Sequence, residues 1–216
     1  MSEQCLTIAV DGPAASGKGT LSRRLARHFG LSYLDTGSLY RATALKALDA
    51  DVALDDEQSI AELARDFDGA LLIDPRLRER GVGEAASRIA GLQPVRDALL
   101  SFQRKIAYTS PGAVLDGRDI GTVVCPDAQV KLFVTASVDE RARRRFEELK
   151  ANGAAVTLED IHADIVRRDA RDSSRDTAPL LQADDAHLLD TTNLDIETAM
   201  NAAVSLINSV LAAENK

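Results

Sequence analysis

The sequence predicts an α/β protein: a five-stranded parallel sheet with helices on both faces. Three observations point there. Short apolar runs alternate with amphipathic stretches along the whole chain. The first run, Leu6-Thr7-Ile8-Ala9-Val10, reads as a buried strand. It ends at Asp11-Gly12-Pro13, where a glycine-rich loop leads straight into a helix.

Each element has its own warrant. From Lys18, Leu21, Leu25 and Phe29 recur four apart and Gly30 supplies a stop. Ser32-Tyr33-Leu34 is a second strand, and a helix follows from Ser38 to Leu48. Asp55 to Phe67 has helical spacing through Ile60, Leu63, Ala64 and Phe67. In Asp68 to Glu84, Leu71-Leu72-Ile73 suggests a short strand, and Pro75, Gly81 and Gly83 break the remainder. Ala85 to Tyr108 is helical with an interruption near Pro94. Ala113–Asp116 and Val130–Thr135 are the third and fourth strands. Asp139 to Lys150 is a charged helix, and Leu158 to Ser174 is another. His187–Asp190 is the fifth strand. Ile196, Met200, Ala203, Ile207 and Leu211 form the apolar stripe of a terminal helix.

Composition narrows the class. The chain has 216 residues, 45% hydrophobic and 28% charged, enough for one domain with a real core. Its formal charge of −8 argues against a nucleic-acid polymer as partner, since such partners demand a basic footprint. A small phosphate-bearing ligand needs only a local basic cluster. The longest uncharged run, Thr198–Ala213, contains Asn201, Ser205, Asn208 and Ser209, so no membrane span is expected. No basic region precedes the first apolar run, and the expected location is cytoplasmic. Cys5 and Cys125 are not at metal spacing and read as buried thiols. His28, His162 and His187 form no cluster. Eight of the 20 arginines fall between Arg141 and Arg175, a concentration that overall composition does not explain.

The chemistry-bearing signal is Gly12-Pro13-Ala14-Ala15-Ser16-Gly17-Lys18-Gly19-Thr20. Between a strand and a helix, four residues flanked by Gly12 and Gly17 form a loop whose backbone N–H groups can face phosphate oxygens. Lys18 adds a point charge for the β- and γ-phosphates. Glycine at 19 moves the hydroxyl to Thr20, the candidate Mg²⁺ contact. No Asn-Lys-x-Asp string reads guanine, and Gly117 follows Asp116 where a water-activating Glu would stand. Such a loop suits a kinase of small molecules, which must not activate water. Thr36, Gly37 and Arg41 lie at the carboxyl end of the second strand, where open α/β sheets bind ligands. Arg118 lies at the end of the third. Arg168, Arg171, Asp172 and Arg175 share one helical face by spacing. Such an array of cations suits phosphoryl transfer; a solvated, salt-bridged face fits the spacing equally well.

With these motifs in hand, the chain resembles bacterial cytidylate kinases of the nucleoside monophosphate kinase family over nearly its whole length. The resemblance rests on IAVDGPAASGKGT, YLDTGSLYR, AASRIAGLQPVRDALL, LDGRDIGTVVCPDA and RRDARDSSRDTAPL. Gly-Lys-Gly-Thr is itself typical of that family. The resemblance implies a P-loop kinase fold in one domain over 1–216. A monophosphate-binding region would span about 36–100 and a lid about 151–176. It implies ATP and Mg²⁺, with CMP and dCMP as acceptors, in a monomer of pyrimidine nucleotide metabolism. Carried over, Gly12, Pro13, Ala14, Ala15, Ser16, Gly17, Lys18, Gly19 and Thr20 would hold ATP. Thr36, Arg41, Arg118 and Arg175 would surround the acceptor phosphate and the moving phosphoryl group, with Lys18, Arg118 and Arg175 catalytic. Ser87, Arg96 and Asp119 would face the cytosine, and Arg168 and Asp172 the ribose. One or two of Arg141–Arg145 would touch ATP. The family usually carries a longer insertion with a small β-sheet where this chain has only the 17 residues Asp68–Glu84. Two other readings stand beside this one. A kinase for another small acceptor is disfavoured by Ser87, Arg96 and Asp119. A non-enzymatic ATP-binding regulator is disfavoured by the arginines beyond the loop.

Overall fold

The computed structural model describes residues 5–66 and 69–214. β1 (Leu6–Asp11) is the central strand, between β3 (Gly112–Gly117) and β4 (Val130–Thr135). β2 (Ser32–Asp35) and β5 (His187–Asp190) form the edges. The order is β2-β3-β1-β4-β5 and every pairing is parallel. Register brings Asp35 beside Asp116, and Asp11 beside Gly117, so polar groups collect at the carboxyl edge.

Side chains on a strand alternate between faces, and both faces of this sheet are apolar. Ala9, Leu34, Ala113 and Leu115 face α2 (Thr36–Asp49), α3 (Glu57–Arg65), α4 (Arg80–Ile89) and α5 (Gln93–Ala107). Ile8, Val10, Val114, Leu132 and Val134 face α1 (Lys18–Phe29) and α8 (Ile196–Glu214). α8 is long and apolar enough to cross a membrane by length and composition, with mean hydropathy 1.3 over Ile196–Ala213. Its Met200, Ala203 and Ile207 pack into the core with Leu21 and Leu25 of α1. A third cluster joins α6 (Val138–Ala151) to α7 (Leu158–Ser174) through Ala142, Ile161 and Ile165, and Ala15 of the glycine-rich loop packs against it.

The expected strand at Leu71–Ile73 is a 3₁₀ helix, Gly69–Ile73. Among the described residues no strand lies alongside to supply a ladder, and Leu71 instead packs with Ala42, Leu45, Leu77 and Val82. Phe67 and Asp68, expected in a helix and at the start of the short insertion, lie outside the described residues. The interruption expected near Pro94 falls at residues 90–92, between α4 and α5. α4 starts early, at Arg80, running through Gly81 and Gly83. Burial of Val82, Ala85, Ala86 and Ile89 outweighs the roughly 1 kcal/mol that each glycine costs a helix. Pro94 occupies the first turn of α5, where its missing N–H is harmless. Cys125 is buried as expected. Cys5 is only half-buried, because it precedes the first strand, and its thiol points to the Tyr108 carbonyl at 3.6 Å.

Ile207 is fully buried between α8 and the sheet. Ile207→Ala should lower unfolding free energy by about 2–5 kcal/mol, measured by urea titration. A loss under about 0.5 kcal/mol, the scale of a surface substitution, would mean that α8 is not docked there.

Candidate active site

Steric need shapes the glycine-rich loop. A Cβ on Gly12 (φ 149°) would lie 2.0 Å from the Val134 carbonyl oxygen of β4, so only glycine fits. Ala15 (φ 61°) and Gly17 (φ 87°) are left-handed, which turns successive N–H groups inward, as an anion nest requires. Gly19 has a similar explanation. A Cβ there would sit 3.3 Å from the Asp116 carboxylate and 3.7 Å from the Tyr33 hydroxyl, so a side chain on the first turn of α1 would crowd the end of β3. The Ser16 hydroxyl is buried and unpartnered within this loop. Lys18 Nζ donates to the Pro13 carbonyl at 3.0 Å.

Opposite the loop stands a buried array of charges. Arg41 donates to Asp35 at 2.6 Å and to Ser38 at 2.7 Å. Tyr33 donates to Asp116 at 2.8 Å, and Thr36 to the Asp116 carbonyl at 2.8 Å. Asp172 accepts from Arg118 Nε at 2.8 Å and from Ser87 at 3.1 Å, with Arg168 at 3.9 Å. Asp119 is paired with Arg96 and has Arg175 at 3.9 Å. Arg96 also stacks over Tyr40. Buried nitrogens of Arg168 (Nε) and Arg175 (a terminal guanidinium nitrogen) have no hydrogen-bond partner. Together with Ser16, they are donors suited to an anion.

Local fields follow from this packing. Burial pushes the Lys18 ammonium down to about 7; Arg118 and Arg168 push the same way, against Asp116 and Asp35. Burial pushes the Asp116 carboxyl up to about 6, with Asp35 adding to it. Burial also raises Asp119, opposed by Arg96 and Arg175. Burial would raise Asp172, but Arg118 and Arg168 bring it below the ordinary range.

All the sequence-assigned residues of the acceptor side therefore gather in one place. Two details differ. Arg175 caps α7 with extended backbone (φ −68°, ψ 140°) and is not on the helical face. Arg171 points outward to Glu84 at 2.9 Å, where it and Arg80–Asp164 join the rims of α4 and α7. Within Arg141–Arg145, two side chains reach the loop. Arg141 donates to the Ala14 carbonyl at 3.2 Å and grips Asp169; Arg144 lies beside Gly17 and holds Thr191. Arg143 and Arg145 pair with glutamates on their own helix. No site role was legible in the sequence for Asp35, the last residue of β2, or for Asp116, one residue before the end of β3. Thr191, which donates to the Ser16 carbonyl at 3.1 Å, left no sequence signal.

Among the described residues no group of three His, Cys, Asp or Glu side chains could hold a metal alone. The hard carboxylate oxygens of Asp35 and Asp116, in register across β2 and β3, fit a Mg²⁺ that arrives on phosphates and keeps its waters; Thr20, on the first turn of α1, is exposed.

Comparison with known proteins extends these observations. Residues 8–209 match the family described as cytidylate kinase. A "Cytidylate kinase" of Methylobacterium sp. is 61% identical over 181 residues, covering 84% of this chain and 86% of that protein. One from Rhodopseudomonas palustris is 53% identical, covering 98% and 100%. One from Agrobacterium fabrum is 53% identical, covering 95% and 98%. A solved structure, an uncharacterized protein from Eubacterium ventriosum, shares the fold at TM-score 0.54 with 15% identity, covering 94% of this chain and 99% of that one.

Because the Lys18 ammonium is held near 7, a bound polyphosphate should restore its proton. ATP binding at pH 8 should therefore take up protons, read as a dependence of calorimetric heat on buffer ionisation. Binding heats independent of buffer, or the same uptake in Lys18→Met, would remove this assignment.

Proposed function

The chain belongs to the cytidylate kinase family, and from that premise we infer that it transfers the γ-phosphoryl group of ATP to CMP, and to dCMP, giving ADP and the diphosphate. The observation that carries this reading is the closeness of donor and acceptor cations. Lys18 of the loop lies near enough to Arg118 and Arg168 for their charges to lower its pKa. A polyanion spanning both sides would relieve the repulsion that Asp116 and Asp35 offset only in part.

In this reading Gly12–Thr20 cradles the ATP phosphates through backbone N–H groups, the Ser16 hydroxyl and Lys18. Thr36, Arg41, Arg118 and Arg175 receive the acceptor phosphate. One of its oxygens attacks the γ-phosphorus in line as the bond to the β-phosphate oxygen breaks. The charge that moves is held by Lys18, Arg118 and Arg175. A monophosphate is largely ionised at neutral pH, so no general base is needed. Mg²⁺, brought with ATP, would neutralise phosphate charge, and Thr20, Asp35 and Asp116 are the residues that would hold it or its waters. Residues 36–100 act as the monophosphate-binding region and 151–176 as a lid that excludes water. Arg168 and Asp172 address the ribose. Ser87, which donates to Asp172, faces the base with Arg96 and Asp119. The reading takes the chain as a cytoplasmic monomer acting on free nucleotides.

The test is ADP release with CMP, dCMP, UMP and AMP as acceptors. CMP and dCMP should be preferred, and Lys18→Ala should lower kcat by about 100-fold or more without loss of fold. Activity confined to AMP, or wild-type turnover in Lys18→Ala, would overturn the assignment.

Asp119 should set base choice. Its carboxylate can accept from the cytosine amino group, whereas the uracil carbonyl would face it in repulsion. Asp119→Ala should shrink the CMP-over-UMP ratio of kcat/KM by about tenfold, in line with carboxylate–cytosine discrimination elsewhere. Parallel kinetics on both substrates decide it. Equal loss on both would make Asp119 only a partner for Arg96.

A further inference from the structure

We propose that Asp11 is a positioning residue for this transfer: its carboxylate clamps the backbone of Ile120 and Gly121, and so fixes the turn bearing Arg118 and Asp119 against the phosphate loop. The proposal rests on the kinase reading above.

The geometry is specific. Asp11 is the last residue of β1 and is buried. Oδ1 accepts from the Ile120 N–H at 2.8 Å and Oδ2 from the Gly121 N–H at 2.8 Å. Ile120–Val124 forms a single π-helical turn, a rare conformation that recurs at functional sites. Its leading N–H groups lack partners within the turn, and Asp11 satisfies two of them. Gly121 permits the approach: a Cβ there would lie 3.0 Å from the Lys131 stem and 3.5 Å from Asp11. The trailing end is held separately. Arg104 donates to the Val124 carbonyl at 2.9 Å and to Val123 at 3.2 Å, and Lys131 donates to Pro126 at 2.6 Å. Asp11 thus holds the end that continues directly into Asp119 and Arg118.

A buried carboxylate is a costly way to secure a turn whose Ile120 and Val124 are already buried in the core. That cost shows in its acidity, which burial raises to about 7 against the pull of the two N–H groups. What the carboxylate adds is a fixed relation. Asp11 is bonded to Gly12, the first residue of the phosphate loop, and Ile120 is bonded to Asp119. One side chain therefore sets the distance between donor loop and acceptor readers. Errors of about 1 Å in such an arrangement cost on the order of 100-fold in rate.

Asp11→Asn tests it. The amide keeps the shape but leaves only one acceptor for two N–H groups, and its own NH₂ opposes the other. Three readouts are needed on the purified, folded variant: kinetics with CMP and UMP, KM for ATP, and hydrogen exchange at the Ile120 and Gly121 amides. The expected result is a fall of roughly 10- to 100-fold in kcat/KM for CMP. KM for CMP should rise more than KM for ATP, the CMP-over-UMP ratio should shrink, and both amides should lose protection. Wild-type kinetics would overturn the proposal. So would a loss matched by the unfolded fraction with KM values and the ratio unchanged, because that is a purely structural role. Should Asp11→Asn fail to fold, Gly121→Ala displaces the same turn while leaving Asp11 intact. It should raise KM for CMP and not for ATP; unchanged KM values would again overturn the proposal. A folded wild-type protein inactive on CMP would instead defeat the kinase reading, while the amide protection still reports on the clamp.

Discussion

Asp116, Asp119 and Asp172 carry their carboxylates into the interior among Lys18, Arg96, Arg118 and Arg175, with Asp35, Arg41 and Arg168 partly exposed beside them, and keeping the buried charges out of water has a large desolvation cost. Replacing such pairs by apolar residues is often neutral or stabilising, so stability does not explain them. A ligand of high negative charge does. The acids hold the arginines apart and correctly aimed, and two of those arginines keep buried donors unpartnered.

The rest of the fold makes that arrangement tolerable. A sheet apolar on both faces buries Ile8, Val10 and Val114 on one side and Ala9 and Leu115 on the other, which supplies the hydrophobic stabilisation. Parallel strands deliver their carboxyl ends to one edge, so Asp11, Asp35, Asp116 and the phosphate loop meet without long connections. α7 closes the far side. Its inward residue Asp172 ties Arg118 of the β3 turn to Ser87 of α4. Its outer pairs, Arg171–Glu84 and Arg80–Asp164, are more exposed and worth only about 0–1 kcal/mol each.

Local pattern made much of this legible. The five strands, the loop from Gly12 to Thr20 and the stop at Gly30 could be read directly, because each depends on neighbours in the chain. The segment Leu71–Ile73 misled for the same reason. Its composition suits a strand, but a strand needs a partner, and among the described residues none lies beside it. In α4, Gly81 and Gly83 suggested a break, and burial of Val82 and Ile89 outweighed them.

For the site, residue type and spacing named the chemistry: a phosphate loop and a run of arginines. Family resemblance then distributed the roles. The sequence by itself thus determined the sheet, the loop and the class of ligand, since hydrophobic period and glycine placement are local constraints. Only the tertiary structure decided which charges pair. Helical spacing put Arg171 with Arg168 and Arg175; the packing of α4 turned Arg171 outward, and the end of α7 at Ser174 freed Arg175 to approach Asp119. It likewise chose Arg141 and Arg144 from four arginines in a row of five residues, and bound Asp11 to a turn more than a hundred residues away. Partners so distant in sequence are selected by burial and the cost of an unpaired charge, which no local pattern records.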